Sequence, residues 1–239
     1  MKERFIRTAM LIGEEGISKL RGSHVAILGL GGVGGYVTEA LARAGVGELT
    51  LIDADTVSES NLNRQIIAAA DTVGKYKTDA FRERIALIAD DCKVNTVCEF
   101  ILPDSLPLLS LSRFDYVVDA IDTVGTKIAL AELAERENIP LISSLGTGNK
   151  LDPTRLRVSD IYKTSVCPLA RAMRTELKRR GVRHLKVVFS DEVPIKPDGA
   201  VCSLLTDGGK KTVGSISFVP SAAGLIIAAE VVKDILGRR

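Results

Sequence analysis

Three glycines and one aspartate are spaced to hold a nucleotide. Gly29, Gly31 and Gly34 follow an apolar run and fit the pattern G-x-G-x-x-G. Glycines at a strand-to-helix turn let backbone N–H groups approach a phosphate, which the helix N-terminus also attracts. Asp53 ends the next apolar run, where an acid can bind the hydroxyl groups of a ribose. We expect a nucleotide site; the alternative is a turn that only permits close packing of helix and strand.

The elements that must position these residues follow from hydrophobic periodicity. Apolar runs and weak alternation predict strands at 25–28, 49–52, 94–101, 114–122, 139–145, 155–159, 187–190 and 212–220. Helical spacing predicts helices at 5–20, 36–44, 77–89, 123–138 and 222–236, with a further basic helix beginning near residue 171. This order predicts an α/β fold, in which a Rossmann-like nucleotide-binding half extends into one mixed β-sheet flanked by helices. We expect one domain over 1–239, with a nucleotide-binding half at 1–150 and a substrate and dimer half at 151–239.

Two further charged residues fall near the predicted site. Lys77 begins a predicted helix, where the helix dipole disfavours a cation unless an anion lies between them; Lys75 could reach the same place. Asp122 ends a buried strand, and open α/β sheets bind ligands at the carboxyl ends of strands. Asp122 could instead cap the following helix, and we expect Asp119 to be structural.

Composition excludes several classes of protein. A net charge of +2 gives no global field for a polyanion, so any nucleic-acid surface must be local. The 4 cysteines form no C-x-x-C pair, which argues against a zinc ribbon and a disulfide framework. We interpret Cys92 and Cys98 as buried free thiols. No apolar run reaches the roughly 18 residues of a membrane span, so we expect a cytoplasmic protein without stable membrane insertion.

A polar motif after Asp53 changes the interpretation of the glycine turn. The run 61–65, sequence NLNRQ, is not part of a dinucleotide fingerprint. With it, nearly the whole chain resembles the ubiquitin-activating-type adenylating enzymes, which include activators of sulfur-carrier proteins. Within that family it is most similar to the bacterial tRNA threonylcarbamoyladenosine dehydratases. The two C-x-x-C pairs of some relatives are missing, and Thr123 and Lys127 replace an asparagine and an arginine of the family pattern.

The resemblance implies ATP and Mg²⁺ as cofactors and assigns residues to them. Arg64 and Lys77 would contact the phosphates, Asp122 would hold the metal, and Asn61 and Asp55 would assist Asp53 at the ribose. The implied nucleotide-binding set is Gly29, Gly31, Gly32, Gly34, Asp53, Asp55, Asn61, Arg64, Lys77 and Asp122.

The resemblance also implies a homodimer with a shared site. The family motif Arg-Tyr-x-Arg-Gln matches the first predicted helix at Arg4 and Arg7 and departs at Thr8. Arg7, with Arg4 second, would reach the triphosphate of the partner subunit, and a guanidinium suits developing phosphate charge. Two arginines on a solvated helix face are the alternative.

A basic helix distinguishes this chain from the sulfur-carrier activators. Clustered cations on a nearly neutral protein mark a candidate surface for the tRNA backbone, within a segment at 160–186 that we expect to be mobile. The candidate tRNA-binding residues are Arg171, Arg174, Lys178, Arg179 and Arg180. A solvated helix face is the alternative. Cys167 could be a nucleophile or an incidental exposed thiol.

The expected reaction is adenylation of a carboxylate. The resemblance implies N6-threonylcarbamoyladenosine at position 37 of tRNA as the substrate, which would lose water and cyclise. One alternative is adenylation of the C-terminal Gly-Gly of a sulfur-carrier protein, which is also a candidate partner. Another is a nicotinamide-dependent dehydrogenase or sensor, which leaves Arg64, Lys77 and Asp122 without a common purpose.

Overall fold

A computed structural model of the chain describes residues 2–202 and 213–238. Seven strands form one sheet in the order β3-β2-β1-β4-β5-β7-β6. Six strands are parallel, and β6 runs antiparallel to β7 at one edge. The strands are β1 His24–Leu28, β2 Glu48–Ile52, β3 Lys93–Val97, β4 Tyr116–Asp119, β5 Leu141–Ser144, β6 Leu156–Asp160 and β7 Lys186–Ser190. The expected mixed α/β sheet is confirmed.

Helices cover both faces of the sheet, so the central parallel strands are buried along nearly their whole length. On one face α2, α3 and α7 enclose the largest part of the core, and on the other α4 packs on the sheet and α5 packs against α4. The helices are α1 Ile6–Arg21, α2 Gly34–Ala44, α3 Lys77–Ile88, α4 Val124–Glu137, α5 Pro168–Arg179, α6 Gly199–Cys202 and α7 Phe218–Ile235. Among the described residues, none of these helices has the length and apolar character needed to cross a membrane.

Helix α7 is longer than predicted and lies against the glycine turn. A β-carbon on Gly224 would lie 2.5 Å from the Val33 carbonyl oxygen, and one on Gly32 would lie 3.3 Å from Pro220 Cβ. The predicted strand 212–220 is wrong: residues 213–216 have no regular structure and α7 begins at Phe218, while residue 212 lies outside the described residues. The β-branched and aromatic composition of this segment favoured a strand, but packing on α2 selects a helix.

Helix α1 is also not the continuous helix that its spacing predicts. Gly13 has φ 78° and ψ 168°, which divides α1 into two parts. Arg238 donates to the carbonyl oxygens of Leu11 and Ile12, at 3.1 Å each, and so caps the first part. This first part carries Arg7.

Two other expectations need correction. Strand β3 ends at Val97, so Cys98 is exposed rather than buried, and Cys92 is only partly buried. Burial nevertheless raises the pKa of the Cys92 thiol to about 12. The segment 160–186 contains a helix whose Ala170, Met173 and Leu177 enter the core. Its mobility, and the division of the chain at residue 150, stay predictions.

Candidate functional site

A cleft of about 610 Å³ opens at the carboxyl ends of β1, β2, β4 and β5. It lies where the crossovers from β1 and β4 depart in opposite directions, which is where doubly wound sheets bind ligands. Nine of the ten predicted nucleotide-binding residues line it: Gly29, Gly31, Gly32, Asp53, Asp55, Asn61, Arg64, Lys77 and Asp122. The tenth, Gly34, lies beneath the turn.

The three motif glycines serve different purposes. Gly29 has φ +90°, and a β-carbon there would lie 2.7 Å from the Ala120 carbonyl oxygen. A β-carbon on Gly34 would lie 1.8 Å from the carbonyl oxygen of Gly29. Gly31 is different, because its nearest neighbour would be Gln65 Nε2 at 4.0 Å. Two glycines therefore permit packing, while Gly31 leaves open space above the turn that a phosphate could occupy.

Asp53 ties the glycine turn to the end of β2. Its Oδ2 accepts the N–H of Leu30 at 2.6 Å, and its Oδ1 accepts the N–H of Asp55 at 2.8 Å. Each carboxylate oxygen keeps a second lone pair. The side chain can therefore hold the turn and accept hydroxyl groups of a ribose at the same time.

Lys77, not Lys75, points into the cleft. Its side chain is only 6% exposed, and its Nζ lies 2.6 Å from Asp55 Oδ2 and 3.7 Å from Asp53 Oδ1. Lys75 Nζ instead pairs with Glu83 Oε2 at 2.9 Å. Lys77 begins α3, so a triphosphate entering the cleft would meet both an ammonium and a helix N-terminus.

Arg64 is positioned by neutral partners. Its Nη1 donates to the Ser60 carbonyl oxygen at 2.9 Å and to Asn63 Oδ1 at 2.8 Å. Among the described residues no carboxylate pairs with it, so its charge is available to an anion. Asn61 instead accepts the N–H of Ser58 at 3.2 Å, which shapes the turn before Arg64.

Asp122 lies exposed at the end of the loop that follows β4. The N-cap of α4 is Thr123, whose hydroxyl donates to Asp122 Oδ1 at 3.3 Å, so Asp122 is not the helix cap. The carboxylate keeps free lone pairs toward the cleft. No group of three or more His, Cys, Asp or Glu side chains that could hold a metal occurs within 2–202 and 213–238. This donor set fits an ion that takes one carboxylate and completes its shell with phosphate oxygens and water.

Sequence reasoning missed several residues of the cleft wall. Gln65 is 7% exposed, and its Oε1 has no hydrogen-bond partner among the described residues. It belongs to the motif at 61–65, but the sequence prediction gave it no role. Phe100 is 75% exposed and lines the cleft beside Ile101. The sequence prediction placed both residues in a strand at 94–101 and gave them no role in the cleft. Thr147 and Ser215 also line the cleft, and nothing in their sequence surroundings separates them from ordinary loop residues.

The two N-terminal arginines have different surroundings. Arg4 Nη2 pairs with Asp90 Oδ1 at 2.5 Å and also with Asp91, so it is held within its own chain. Together with Lys2, it lowers the pKa of Asp90 to about 2. Arg7 is exposed, has no polar partner among the described residues and does not line the cleft of its own chain. Of the two candidates, only Arg7 is free to reach another subunit.

The basic helix divides into free and paired cations. Arg174 donates to the Thr164 carbonyl oxygen at 3.0 Å, Arg179 pairs with Glu176 at 2.8 Å, and Arg180 pairs with Glu132 at 2.7 Å. Arg171 and Lys178 are exposed and have no carboxylate partner in the described part of the chain. The five predicted residues therefore do not form one uniform surface.

Helix α5 begins beside the cleft. Its N-cap residue, Cys167, is buried, and its Sγ would lie 3.8 Å from a β-carbon on Gly146. The interpretation of Cys167 as an exposed thiol is therefore wrong. Thr147 of the same loop lines the cleft, so the 12 residues of α5, at about 1.5 Å per residue, extend away from it over about 18 Å.

Comparisons with known proteins identify the family of the chain and its similar structures. The model of the ThiF family matches residues 5–239. The tRNA threonylcarbamoyladenosine dehydratase of Bacillus subtilis is 41% identical over 251 residues, which cover 99% of this chain and 96% of that protein. The Escherichia coli tRNA N6-threonylcarbamoyladenosine dehydratase in complex with ATP superposes with a TM-score of 0.89 at 35% identity and covers 98% of this chain and 94% of that one. Its AMP complex superposes with a TM-score of 0.88 at 36% identity, with the same coverage.

The open space above Gly31 allows a direct test of the turn. We expect Gly31→Ala to fold, with a melting temperature within about 3 °C of the wild type, because no atom lies closer than 4.0 Å to the added carbon. ATP binding should weaken by at least about tenfold, since the methyl group takes the place of a phosphate oxygen. Isothermal titration with ATP measures this change.

Two matched glycine variants give the controls. Gly125→Ala meets nothing within 4 Å and should lower neither stability nor ATP affinity, whereas Gly34→Ala should prevent folding. Unchanged ATP affinity in Gly31→Ala would place the phosphates elsewhere.

Proposed function

The chain belongs to the ThiF family, and from that premise we propose that it is an ATP-dependent adenylating enzyme that dehydrates N6-threonylcarbamoyladenosine at position 37 of tRNA. The observation that carries the proposal is one cleft that contains Asp53, Arg64, Lys77 and Asp122 beside the glycine turn. Similarity to the dehydratases over nearly the whole chain supports the choice of substrate. We expect the enzyme to act in the cytoplasm.

Adenylation gives the substrate carboxylate a good leaving group. A carboxylate cannot expel an oxide, so the threonine carboxylate first attacks the α-phosphorus of ATP and pyrophosphate departs. The acyl-adenylate then has AMP as a good leaving group. The neighbouring carbamoyl group closes onto the acyl carbon, AMP departs, and the net change is loss of water at the expense of ATP. Ring closure within one molecule has a high effective molarity, so no cysteine nucleophile is required.

The cleft supplies positioning and charge. Asp53 would hold the ribose with assistance from Asp55 and Asn61, and the N–H groups of the glycine turn would face the phosphates. Lys77 and Arg64 would stabilise the charge that develops as pyrophosphate leaves.

Two partly buried side chains and an exposed aromatic ring give the cleft an apolar wall. Ile101, Ile121 and Phe100 line it, and we expect the adenine to lie against them. Apolar contact with a purine adds affinity without requiring a charge at that end of the cleft.

Mg²⁺ would be held by Asp122 and would neutralise phosphate charge when bound. The Lys77 ammonium lies near the carboxylates of Asp55 and Asp53, which would keep it in place before ATP binds. On binding, phosphate oxygens would replace the carboxylates as partners of Lys77. The site therefore needs no large rearrangement to accept its cofactor.

The nicotinamide alternative has lost its support. It gives Arg64, Lys77 and Asp122 no role, and the match covers an adenylating family over residues 5–239. Adenylation of a sulfur-carrier protein uses the same cleft, so only the substrate separates the two functions. A sulfur-relay or sulfur-carrier partner, and the homodimer, stay predictions.

The decisive experiment is mass analysis of nucleosides from tRNA that carries threonylcarbamoyladenosine. Wild-type protein with ATP and Mg²⁺ should convert this nucleoside into a form lighter by one water. Lys77→Met should lose about two orders of magnitude in rate, as expected for removal of one charged donor worth ~3 kcal/mol in the transition state.

Lys75→Met is the matched control, because Lys75 lies two residues away and pairs with Glu83 outside the cleft. It should retain the wild-type rate. If the wild type adenylates a carrier protein with a C-terminal Gly-Gly but leaves the tRNA unchanged, the sulfur-carrier alternative is correct.

The exposed, unpaired Arg7 predicts complementation between subunits. Arg7→Ala and Asp122→Asn proteins should each be weakly active alone. A mixed dimer contains one site with an intact Asp122 that receives an intact Arg7 from its neighbour, so mixing should restore part of the activity. Absence of recovery, after subunit exchange is demonstrated by tagged pull-down, would mean that Arg7 acts within its own chain or not at all.

The division of the basic helix refines the expected tRNA surface. Three exposed cations of this region, Lys163, Arg171 and Lys178, have no carboxylate partner among the described residues, and we propose that they contact the phosphate backbone. Changing all three to Gln should weaken tRNA binding and reduce the slope of log affinity against log salt by about 0.9 per lost contact. Filter binding across a salt series measures both quantities.

A charge-matched control comes from the side of the sheet opposite the cleft, at the amino ends of the strands. Lys19, Lys93 and Lys233 are each paired with a glutamate and lie near the amino ends of the strands. Changing these three to Gln removes the same charge and should leave the slope unchanged. Equal slopes in the two triple variants would exclude the α5 surface as the tRNA site.

A further inference from the structure

A fully buried ion pair lies directly beneath the cleft. The side chains of Lys127 and Asp119 are 0% and 1% exposed, and Lys127 Nζ lies 2.9 Å from Asp119 Oδ2. Ser143 Oγ donates to the same carboxylate oxygen at 2.5 Å. The three residues come from α4, the end of β4 and β5.

Stability alone does not explain this pair. Taking two charges out of water costs much of what their attraction returns, and apolar side chains of similar volume often serve a core equally well. The surroundings are suited to such side chains, since Val117, on the same face of β4 as Asp119, and Leu130, one turn after Lys127 in α4, are fully buried in one apolar cluster. The pair has further partners in the backbone of the loop after β4.

Both polar groups of a single residue are held by the pair. The N–H of Ile121 donates to Asp119 Oδ1 at 3.1 Å, and Lys127 Nζ donates to the Ile121 carbonyl oxygen at 3.0 Å. That carbonyl belongs to the peptide bond that enters Asp122. The backbone immediately before the cleft carboxylate is thus fixed from both sides by buried charges.

The same helix turn holds the facing wall of the cleft. Thr126, next to Lys127 in α4, donates its hydroxyl to the carbonyl oxygen of Ile101 at 3.1 Å. Ala120, on the other side of the loop, lies against Gly29 of the phosphate turn. A shift of the loop would therefore change the distance from Asp122 to the phosphate turn.

We infer that Lys127 and Asp119 are positioning residues, which hold the Asp122 carboxylate at the place where it meets the metal–triphosphate. This inference rests on the proposed function, because it assigns the purpose of the pair to the metal and nucleotide of that reaction. Residues that orient a metal ligand from behind typically change metal affinity 10–100-fold when replaced.

The test measures metal binding rather than turnover. Mn²⁺ replaces Mg²⁺ as a paramagnetic probe, and a non-hydrolysable ATP analogue is the nucleotide. Loss of the free Mn²⁺ signal in electron paramagnetic resonance, beyond the loss that the ATP analogue causes without protein, gives the affinity of the ternary complex. The double variant Lys127→Met/Asp119→Asn removes both charges, keeps a side-chain oxygen for the Ile121 N–H, and leaves Asp122 in place.

We expect the double variant to bind Mn²⁺ at least about tenfold more weakly than the wild type. Its affinity for AMP in the presence of EDTA should stay within about threefold of the wild type, because Asp53 and the glycine turn are unchanged. If the pair only stabilised the fold, the double variant would be less stable, but its Mn²⁺ affinity would not fall more than its AMP affinity.

Tyr116→Phe is the matched control. Tyr116 lies on the same strand as Asp119, and its buried hydroxyl donates to Asp234 Oδ2 at 2.6 Å at the opposite end of that strand. Removing this hydrogen bond should lower the melting temperature but leave Mn²⁺ affinity unchanged. If the double variant does not fold, Lys127→Met alone replaces it, since Asp119 then keeps its hydrogen bonds to Ser143 and Ile121.

The outcomes separate the two proposals. Suppose that the wild type binds the metal and the nucleotide together. If a folded Lys127 variant then binds Mn²⁺ as tightly as the wild type, only the positioning role is overturned. A wild-type protein that binds no metal with the nucleotide overturns the metal-dependent reaction and the positioning role with it.

Discussion

The close approach of Gly29 and Gly34 is the constraint on which the rest of the site depends. The turn after β1 is so tight that a side chain on Gly34 would overlap the Gly29 carbonyl oxygen, and one on Gly29 would overlap Ala120. The close approach of Gly29 to Ala120 joins the ends of β1 and β4 at the reversal of the sheet order. The carboxylates that follow β2 and β4 are thereby brought to one cleft, although they lie far apart in the chain.

The charges of the cleft are arranged around carboxylates that already have partners. The Asp53 carboxylate accepts two backbone N–H groups, Asp55 pairs with Lys77, and Asp119 pairs with Lys127. Among the described residues, Arg64, Asp122 and Glu99 line the open space without an ion pair. A site built in this way is pre-organised, because its dipoles are fixed before a phosphate enters.

The sequence predicted the parts of the site that follow from local spacing. The glycine turn, Asp53 and the strand ends depend on periods of 2 and 3.6 residues, which a reader can count, and family resemblance added Arg64, Lys77 and Asp122. Packing against distant elements was not predictable in this way. Because α7 packs on α2, residues 218–220 are helical, although their composition predicts a strand. Strand β3 ends at Val97, so Phe100 lies in the cleft wall and not in a strand. The same limit explains Arg174, Arg179 and Arg180, whose partners lie on other turns or elements, so composition alone could not separate them from Arg171 and Lys178.

The cap that Arg238 places on the first part of α1 has a consequence for biosynthesis. The half-helix that carries Arg7 leaves the ribosome long before the guanidinium that satisfies its last carbonyl groups, because 227 residues separate Leu11 from Arg238. Helix α7, which covers α2 and the phosphate turn, also follows all seven strands in the chain. The nascent chain can therefore assemble β1, β2 and β4 while their outer apolar surface is still open, and that intermediate is the stage at which chaperone binding or aggregation competes with folding.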